Sequence, residues 1–216
     1  MKIGILGSGS VGKAIGTGFA ALGHDVMMGS REPNRGDVQE WKKKAGGKTS
    51  SGTFEEAAAH AQLAVLATAW SGTENAILLA KPGNLAGKVV IDTTNPLDFS
   101  VPNQPPTLAV AGGDSAGEMI QRWLPQARVV KALNIVGNPD MFRPQYPGGP
   151  PDMFIAGNDE AAKREVGQVL QAFGWPEPID IGGIESARYL EPMAMVWIMN
   201  YFRSGRGGTA FKLLRK

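Results

Sequence analysis

Ile3-Gly4-Ile5-Leu6-Gly7-Ser8-Gly9-Ser10-Val11-Gly12 is the stretch that decides the fold. Its apolar start predicts a buried strand, and Ala14, Ile15, Phe19 and Leu22 beyond it space out as one face of a helix. Between them the glycines recur as Gly7-x-Gly9-x-x-Gly12. Gly7 allows a tight turn, Gly9 lets the backbone approach a pyrophosphate, and Gly12 lets the helix pack close on the strand. A tight strand-to-helix turn can use the same glycines without a ligand, but the strand before and the helix after supply the context of dinucleotide binding. Phosphates would then lie on the first-turn N–H groups, with Ser8, Ser10 and Val11 alongside the glycines, where the helix dipole favours negative charge.

The next apolar run ends in Gly29-Ser30-Arg31. An NAD site usually carries Asp or Glu about 20 residues past the glycines, to hold the ribose hydroxyls. Here a hydroxyl stands beside a guanidinium, whose planar fork of donors suits the oxygens of a 2′-phosphate. Arg35 is near enough to add charge, while Glu32 either takes the acidic role or belongs to the loop. With Arg31 leading, the expected nucleotide is NADP(H).

Working outward, short apolar runs alternate with helical patterns, the mark of a parallel sheet. Strands are expected at His24–Met28, Lys48–Ser51, Leu63–Ala67, Val89–Asp92 and Val129–Leu133, then at Met153–Ala156 and Pro178–Ile181. Helices are expected at Asp37–Ala45, from the capping box Thr53…Glu56 to His60, up to Ala80, and over Ser115–Leu124, Asp159–Phe173 and Ser186–Phe202. The fold class is α/β: a doubly wound, mostly parallel Rossmann sheet with a small C-terminal helical extension. One domain over 1–216 is expected, its dinucleotide-binding core in 1–136. The Gly/Pro-rich loop from 137 to 151, short strands and C-terminal helices make up the remainder.

Ligands of open α/β sheets lie outside the carboxyl ends of the strands. Three tripeptides fall there: Thr68-Ala69-Trp70, Thr94-Asn95-Pro96 and Leu133-Asn134-Ile135. Thr68, Ala69, Trp70, Asn95, Pro96 and Asn134 are the candidates for the nicotinamide side, although Asn95-Pro96 also serves as ordinary turn punctuation and Trp70 serves equally as a core wall.

Of the chain's 216 residues, 22 are basic and 20 acidic, a net +2 that gives no nucleic-acid surface. There is no cysteine, hence no disulfide, thiol catalysis or cysteine metal site. The N-terminus is itself the first strand, so no signal peptide is expected and the cytoplasm is the expected address. The longest apolar stretch, Met193 to Met199, falls far short of the roughly 18 residues that span a bilayer. His24 and His60 stand away from the expected cleft, and no tyrosine has a lysine four residues on. Asp92 and Asp98 are the nearest carboxylates, the first at a strand end and the second in a loop. No metal-ligand spacing occurs and no catalytic acid or base is assigned. An acceptor that needs no proton donor, such as a flavin-like ring, fits such a site, because the chemistry belongs to the two cofactors.

The glycine motif with Gly29-Ser30-Arg31, Val65-Leu66-Ala67-Thr68-Ala69-Trp70, the helix opening Ser186-Ala187-Arg188 and the tail Gly205–Leu214 resemble the NADPH-dependent reductases of the deazaflavin coenzyme F420. The resemblance runs end to end. The same fold forms the NADPH domain of the membrane metalloreductases, which Lys131-Ala132-Leu133-Asn134 resembles more; archaeal deazaflavin reductases carry a histidine at the position of Asn134. The resemblance implies NADPH binding, hydride transfer to F420 or to FMN or FAD as co-substrate, a small-molecule acceptor, and a homodimer with sites near its interface. Two rivals are a pyrroline-carboxylate reductase-like imine or keto reductase, which needs a longer helical domain than the remaining residues supply, and a redox sensor that binds NADPH without turnover. Met193, Met195, Val196, Trp197, Ile198 and Met199 leave no polar stripe. That pattern predicts a buried helix serving as core and dimer contact, or flooring an acceptor pocket. The basic residues after it (Arg203, Arg206, Lys212, Arg215, Lys216) are expected in solvent, with one or two available to an acidic acceptor.

Overall fold

The computed structural model describes residues 1–214 and 216; Arg215 of the basic tail lies outside the described residues. Eight strands form one sheet: β1 (Lys2–Leu6), β2 (Asp25–Gly29), β3 (Lys48–Gly52), β4 (Leu63–Leu66), β5 (Val89–Asp92), β8 (Arg128–Lys131), β9 (Phe154–Gly157) and β10 (Ile179–Asp180). Their order is β10-β9-β8-β5-β4-β1-β2-β3. The six from β3 to β8 run parallel, and β9 pairs antiparallel to β8. A hairpin of β6 (Leu97–Asp98) and β7 (Thr107–Leu108) stands apart from this sheet. It carries no periodic pattern in sequence, because two-residue strands are too short to show one.

Side-chain alternation along the strands builds two cores, one per face. Ile3, Ile5, Leu63, Val65, Val89 and Ile91 join residues of α1 (Ser10–Ala21), α2 (Gly36–Ala45), α6 (Glu160–Ala172) and α7 (Ala187–Ser204). Leu6, Ala64, Leu66 and Val90 join residues of α3 (Phe54–His60), α4 (Trp70–Ala80) and α5 (Ala116–Trp123). Because helices cover both faces, the central strands are apolar throughout rather than alternating. Helix α3 comes so near the sheet that a Cβ on Gly4 would stand 2.3 Å from the Ala57 carbonyl oxygen. The Thr53 capping box forms as expected, with both reciprocal bonds made.

Most element ends fall within one or two residues of expectation, and three departures have a visible cause. β2 begins at Asp25 rather than His24, whose ring is turned edge-on to Phe19. β8 ends at Lys131 because Leu133 adopts φ +61°, in the left-handed region, and turns the chain away from the ladder. α7 departs most. Its buried residues are Ala187, Leu190, Glu191 and Ala194, while Val196 is 61% exposed and Met199, Tyr201 and Phe202 are also exposed. Apolar composition all round thus does not bury this helix: only its first half lies against α5 and the core. The tail returns along the molecule, with Lys212 bonded to the Pro150 carbonyl and to the Asp152 carboxylate rather than free in solvent.

Candidate functional site

The chain passes from β3 to β4 by crossing to the other side of β1, so the strand order reverses between β1 and β4. A crevice opens there at the carboxyl ends of the strands, as doubly wound sheets require. One part, about 410 Å³, is lined by Gly7, Ser8, Gly9, Ser30, Arg31, Glu32, Arg35, Thr68, Ala69 and by Ser71, Asn75 and other residues of α4. A second part, about 340 Å³, is lined by Gly9, Ser10, Val11, Thr68, Ala69, Trp70, Thr93, Thr94, Asn95, Leu97 and Phe99. Gly9, Ala67, Thr68, Ala69 and Ser71 line both, so the two parts form one groove.

The three glycines do different things. Gly7 has φ +130°, and a Cβ there would meet the Ala67 carbonyl oxygen at 2.2 Å. A Cβ on Gly12 would meet the Gly7 carbonyl oxygen at 2.0 Å, so Gly12 is what lets α1 close on the turn. Gly9 is the opposite case: a Cβ there meets nothing within 4 Å and would project into open space in the groove. Gly9 also N-caps α1 with no side-chain cap, which leaves the first-turn donors to a ligand. The arrangement fits a pyrophosphate, since the backbone is bare where an anion must approach and the dipole is favourable.

At the basic end, Ser30 is buried and its Oγ accepts from the Glu32 N–H (3.1 Å) and the Ser8 hydroxyl (3.3 Å). Arg35 is held by Asp37 through two bonds and reaches Ser8 Oγ at 3.4 Å. Lys13 reaches the same carboxylate at 2.6 Å. Hydrogen bonds from Arg35 and Lys13 hold the Asp37 carboxyl well below the usual carboxylate range. Arg35 is therefore ion-paired within the protein, sharing the one charge of Asp37 with Lys13. Arg31 is exposed on the groove wall, without a side-chain partner among the described residues. Glu32 shares that wall and is equally exposed.

At the other end no charged side chain lines the groove. Trp70 both lines it and stacks on Trp123 at 5.7 Å, so it is groove wall and core edge at once. Thr68 and Thr73 share a hydroxyl–hydroxyl bond of 2.9 Å. Asn95 lines the groove, and its amide donates to the Asn134 carbonyl at 2.8 Å.

Three expected site residues are not brought to the groove: Gly12, which is buried against the glycine turn, Pro96 and Asn134. Pro96 is buried behind the groove. Asn134 is buried too, its amide donating to Asn95 Oδ1 (2.9 Å) and to the Leu190 carbonyl (3.0 Å), while its Oδ1 has no partner. The turn at Leu133 draws Asn134 inward, so it fastens α7 to the ends of two strands instead of facing the groove. Conversely, Ser71, Asn75, Leu97 and Phe99 line the groove unanticipated. Ser71 and Asn75 follow from a helix that starts at a strand's carboxyl end; Leu97 and Phe99, in and beside the short hairpin, had no sequence signal.

Behind Thr94 lies a buried ionic cluster. The β5–β8 register pairs Asp92 with Lys131, and Lys131 Nζ is 2.7 Å from Asp92 Oδ2 and 2.9 Å from Glu191 Oε1. Lys131 and Asp92 are 0% exposed. Burial pulls the lysine pKa down, but the two carboxylates outweigh it and hold the ammonium charged. The second carboxylate, Glu191, is also satisfied by the Ala116 and Gly117 N–H groups at 3.0 Å, at the N-terminus of α5. Of the two carboxylates nearest the expected cleft, Asp92 belongs to this cluster and Asp98 accepts from the Ser100 N–H. His24 and His60 are far from the groove in their bonding, His24 Nδ1 to the N-terminal amine and His60 Nε2 to Asp25.

Known proteins match the chain in sequence and in fold. Residues 2–96 match the family model described as NADP oxidoreductase, coenzyme F420-dependent. A crystal structure from Arthrobacter sp. FB24, assigned as a candidate F420-dependent NADP reductase, is 38% identical, with each chain covered over 100% and a TM-score of 0.93. The F420-dependent NADP reductase of Methanocaldococcus jannaschii is 26% identical over 99% of this chain and 98% of its own. Metalloreductase STEAP3 of Rattus norvegicus is 27% identical over 90% of this chain, which spans 36% of that protein's length. No helix among the described residues is long and apolar enough to cross a membrane.

Proposed function

The chain belongs to the family of coenzyme F420-dependent NADP oxidoreductases, and from that premise we propose that it passes hydride between NADP(H) and a deazaflavin or flavin-type acceptor. The observation that carries this reading is a single groove at the strand-order reversal, with an unmatched guanidinium at one end and no charge at the other. Gly7, Ser8, Gly9 and the start of α1 would hold the pyrophosphate. Ser30 and Arg31, with Arg35 behind them, would hold the 2′-phosphate. Thr68, Ala69, Trp70, Thr94 and Asn95 would stand along the nicotinamide. Bound NADPH supplies hydride, and the protein's part is to align donor and acceptor and keep water from between them. The uncharged nicotinamide end accords with an acceptor ring that requires no side-chain acid.

A homodimer over a one-domain chain, in the cytoplasm, belongs to the same reading. Its support is the exposed apolar side chains of Val196, Met199, Tyr201 and Phe202 on α7, since clustered apolar exposure marks contact surfaces. Sedimentation should then give twice the 22.9 kDa chain mass; a monomer at micromolar concentration removes the dimer and leaves the enzyme reading intact.

The direct test follows NADPH oxidation with deazaflavin F420, FMN, ferric chelates and quinones as acceptors. Turnover with a flavin-type ring is the expected result, whereas tight NADPH binding with no turnover replaces the enzyme by a sensor. Arg31→Glu should lower the preference for NADPH over NADH by about 10- to 100-fold, the worth of a charge-assisted contact to phosphate. An unchanged preference takes Arg31 out of this role and passes it to Arg35.

A further inference from the structure

Thr94 is the one groove-lining residue whose main-chain N–H, carbonyl and hydroxyl are all bonded to the buried ionic cluster. Asp92 Oδ1 accepts from the Thr94 N–H and from its Oγ1–H, each at 2.8 Å. Lys131 Nζ donates to the Thr94 carbonyl at 2.8 Å. Asp92 and Lys131 are register partners at the carboxyl ends of adjacent strands, so the ladder itself sets their spacing. Room for the lysine stem is left by Gly117, where a Cβ would stand 3.3 Å from Lys131 Cε. None of the three charges lines the groove.

Burying a lysine with two carboxylates is not an economical way to hold a fold together. The desolvation of such groups commonly cancels their attraction, and apolar replacements of the whole set are often neutral or stabilising. What the cluster does supply is rigidity at one residue, through both peptide groups that flank it. Three directed bonds to Thr94, two of them to Asp92 and one to Lys131, leave its backbone no alternative position and present its side of the groove in a single arrangement.

We propose that Asp92 and Lys131 are positioning residues for the nicotinamide end of the groove: by holding the two peptide groups that flank Thr94 they fix where Thr94 and Asn95 stand against the ring. This rests on the NADP(H) reading above. Glu191 has a different part. It balances Lys131 and ties α7 to α5, without a bond to Thr94.

The test separates the two ends of the nucleotide. Affinity for NADPH, measured by calorimetry, is dominated by the phosphate contacts; the fluorescence lifetime of the bound dihydronicotinamide reports how firmly the ring is held. Asp92→Ala removes the oxygen that accepts from Thr94 and leaves Lys131 and Glu191 charge-matched, and Asp92→Ala with Lys131→Met removes the pair together. Both should keep the NADPH Kd within about twofold while losing about half or more of the lifetime gained on binding, because small displacements at a reacting group cost much and at a distant phosphate little. Glu191→Gln should keep the full gain. Asp92→Ala with an unchanged lifetime overturns the proposal, as does a Glu191→Gln protein that loses as much. If the double variant does not fold, Asp92→Ala alone decides; if that too fails to fold, the pair belongs to the core and the proposal falls. A wild-type protein that takes up no NADPH overturns the functional reading beneath it, and is told apart by the calorimetry.

Discussion

Replacing Gly9 with valine should leave the protein folded and weaken NADPH binding by about 100-fold or more, roughly 3 kcal/mol. The position is permissive in itself: Gly9 has φ −74°, an ordinary value for any residue, and a Cβ there touches nothing. The structural cost is limited to a poorer N-cap, about 1 kcal/mol or less. The added methyl groups instead fill the space through which a pyrophosphate reaches the first-turn N–H groups of α1. Gly12 makes the contrast. Its Cβ would stand 2.0 Å from a carbonyl oxygen, so Gly12→Val should damage folding itself. Thermal melting and calorimetric titration of the two variants separate these effects. A Gly9→Val protein that binds NADPH like wild type removes the nucleotide from the groove altogether.

The second large effect is on stability. Lys131→Met alone should cost about 3–5 kcal/mol, because Asp92 and Glu191 are left buried with no cation between them. For a chain of this size that is a fall in Tm of about 6–20 °C. The loss is a property of the broken set and not the worth of one ion pair, so adding Asp92→Asn should recover a substantial part of it. Glu191 then remains with the two α5 N–H groups that already satisfy it. A single variant as stable as wild type would mean that water reaches the cluster.

The same cluster shows where sequence stops being informative. Asp92 is recognisable at the end of an apolar run and Lys131 at the end of another, but nothing in one sequence says that these runs are neighbours in register. Charged residues in a strand end read equally as surface. Only after β5 and β8 pair does the lysine find its two carboxylates, one of them on a helix about 60 residues later in the chain.

Asn134 marks the reverse limit. A strand's carboxyl end predicts a residue facing the crevice, and Asn95 obeys. Asn134 does not, because a left-handed leucine just before it rotates the chain inward. Local conformations of that kind are chosen by packing, here by the burial of Leu133 and Ile135 in the core and the bond of Asn134 to Leu190 of α7, and carry no mark such as glycine. Leu97 and Phe99 were hidden for a related reason: a two-residue strand is too short to have a period.

What the chain determines by itself is local and repetitive. The order of strands and helices, the doubly wound class, the glycine turn and the Ser30–Arg31 pair all depend on periodicity or on residues adjacent in sequence, and backbone sterics give those patterns few alternatives. Tertiary structure decided which strand ends share the groove, which of two arginines keeps an unmatched charge, and whether the apolar helix α7 is covered. Those outcomes depend on contacts between residues far apart in the chain, where each partner's environment exists only once the sheet has formed.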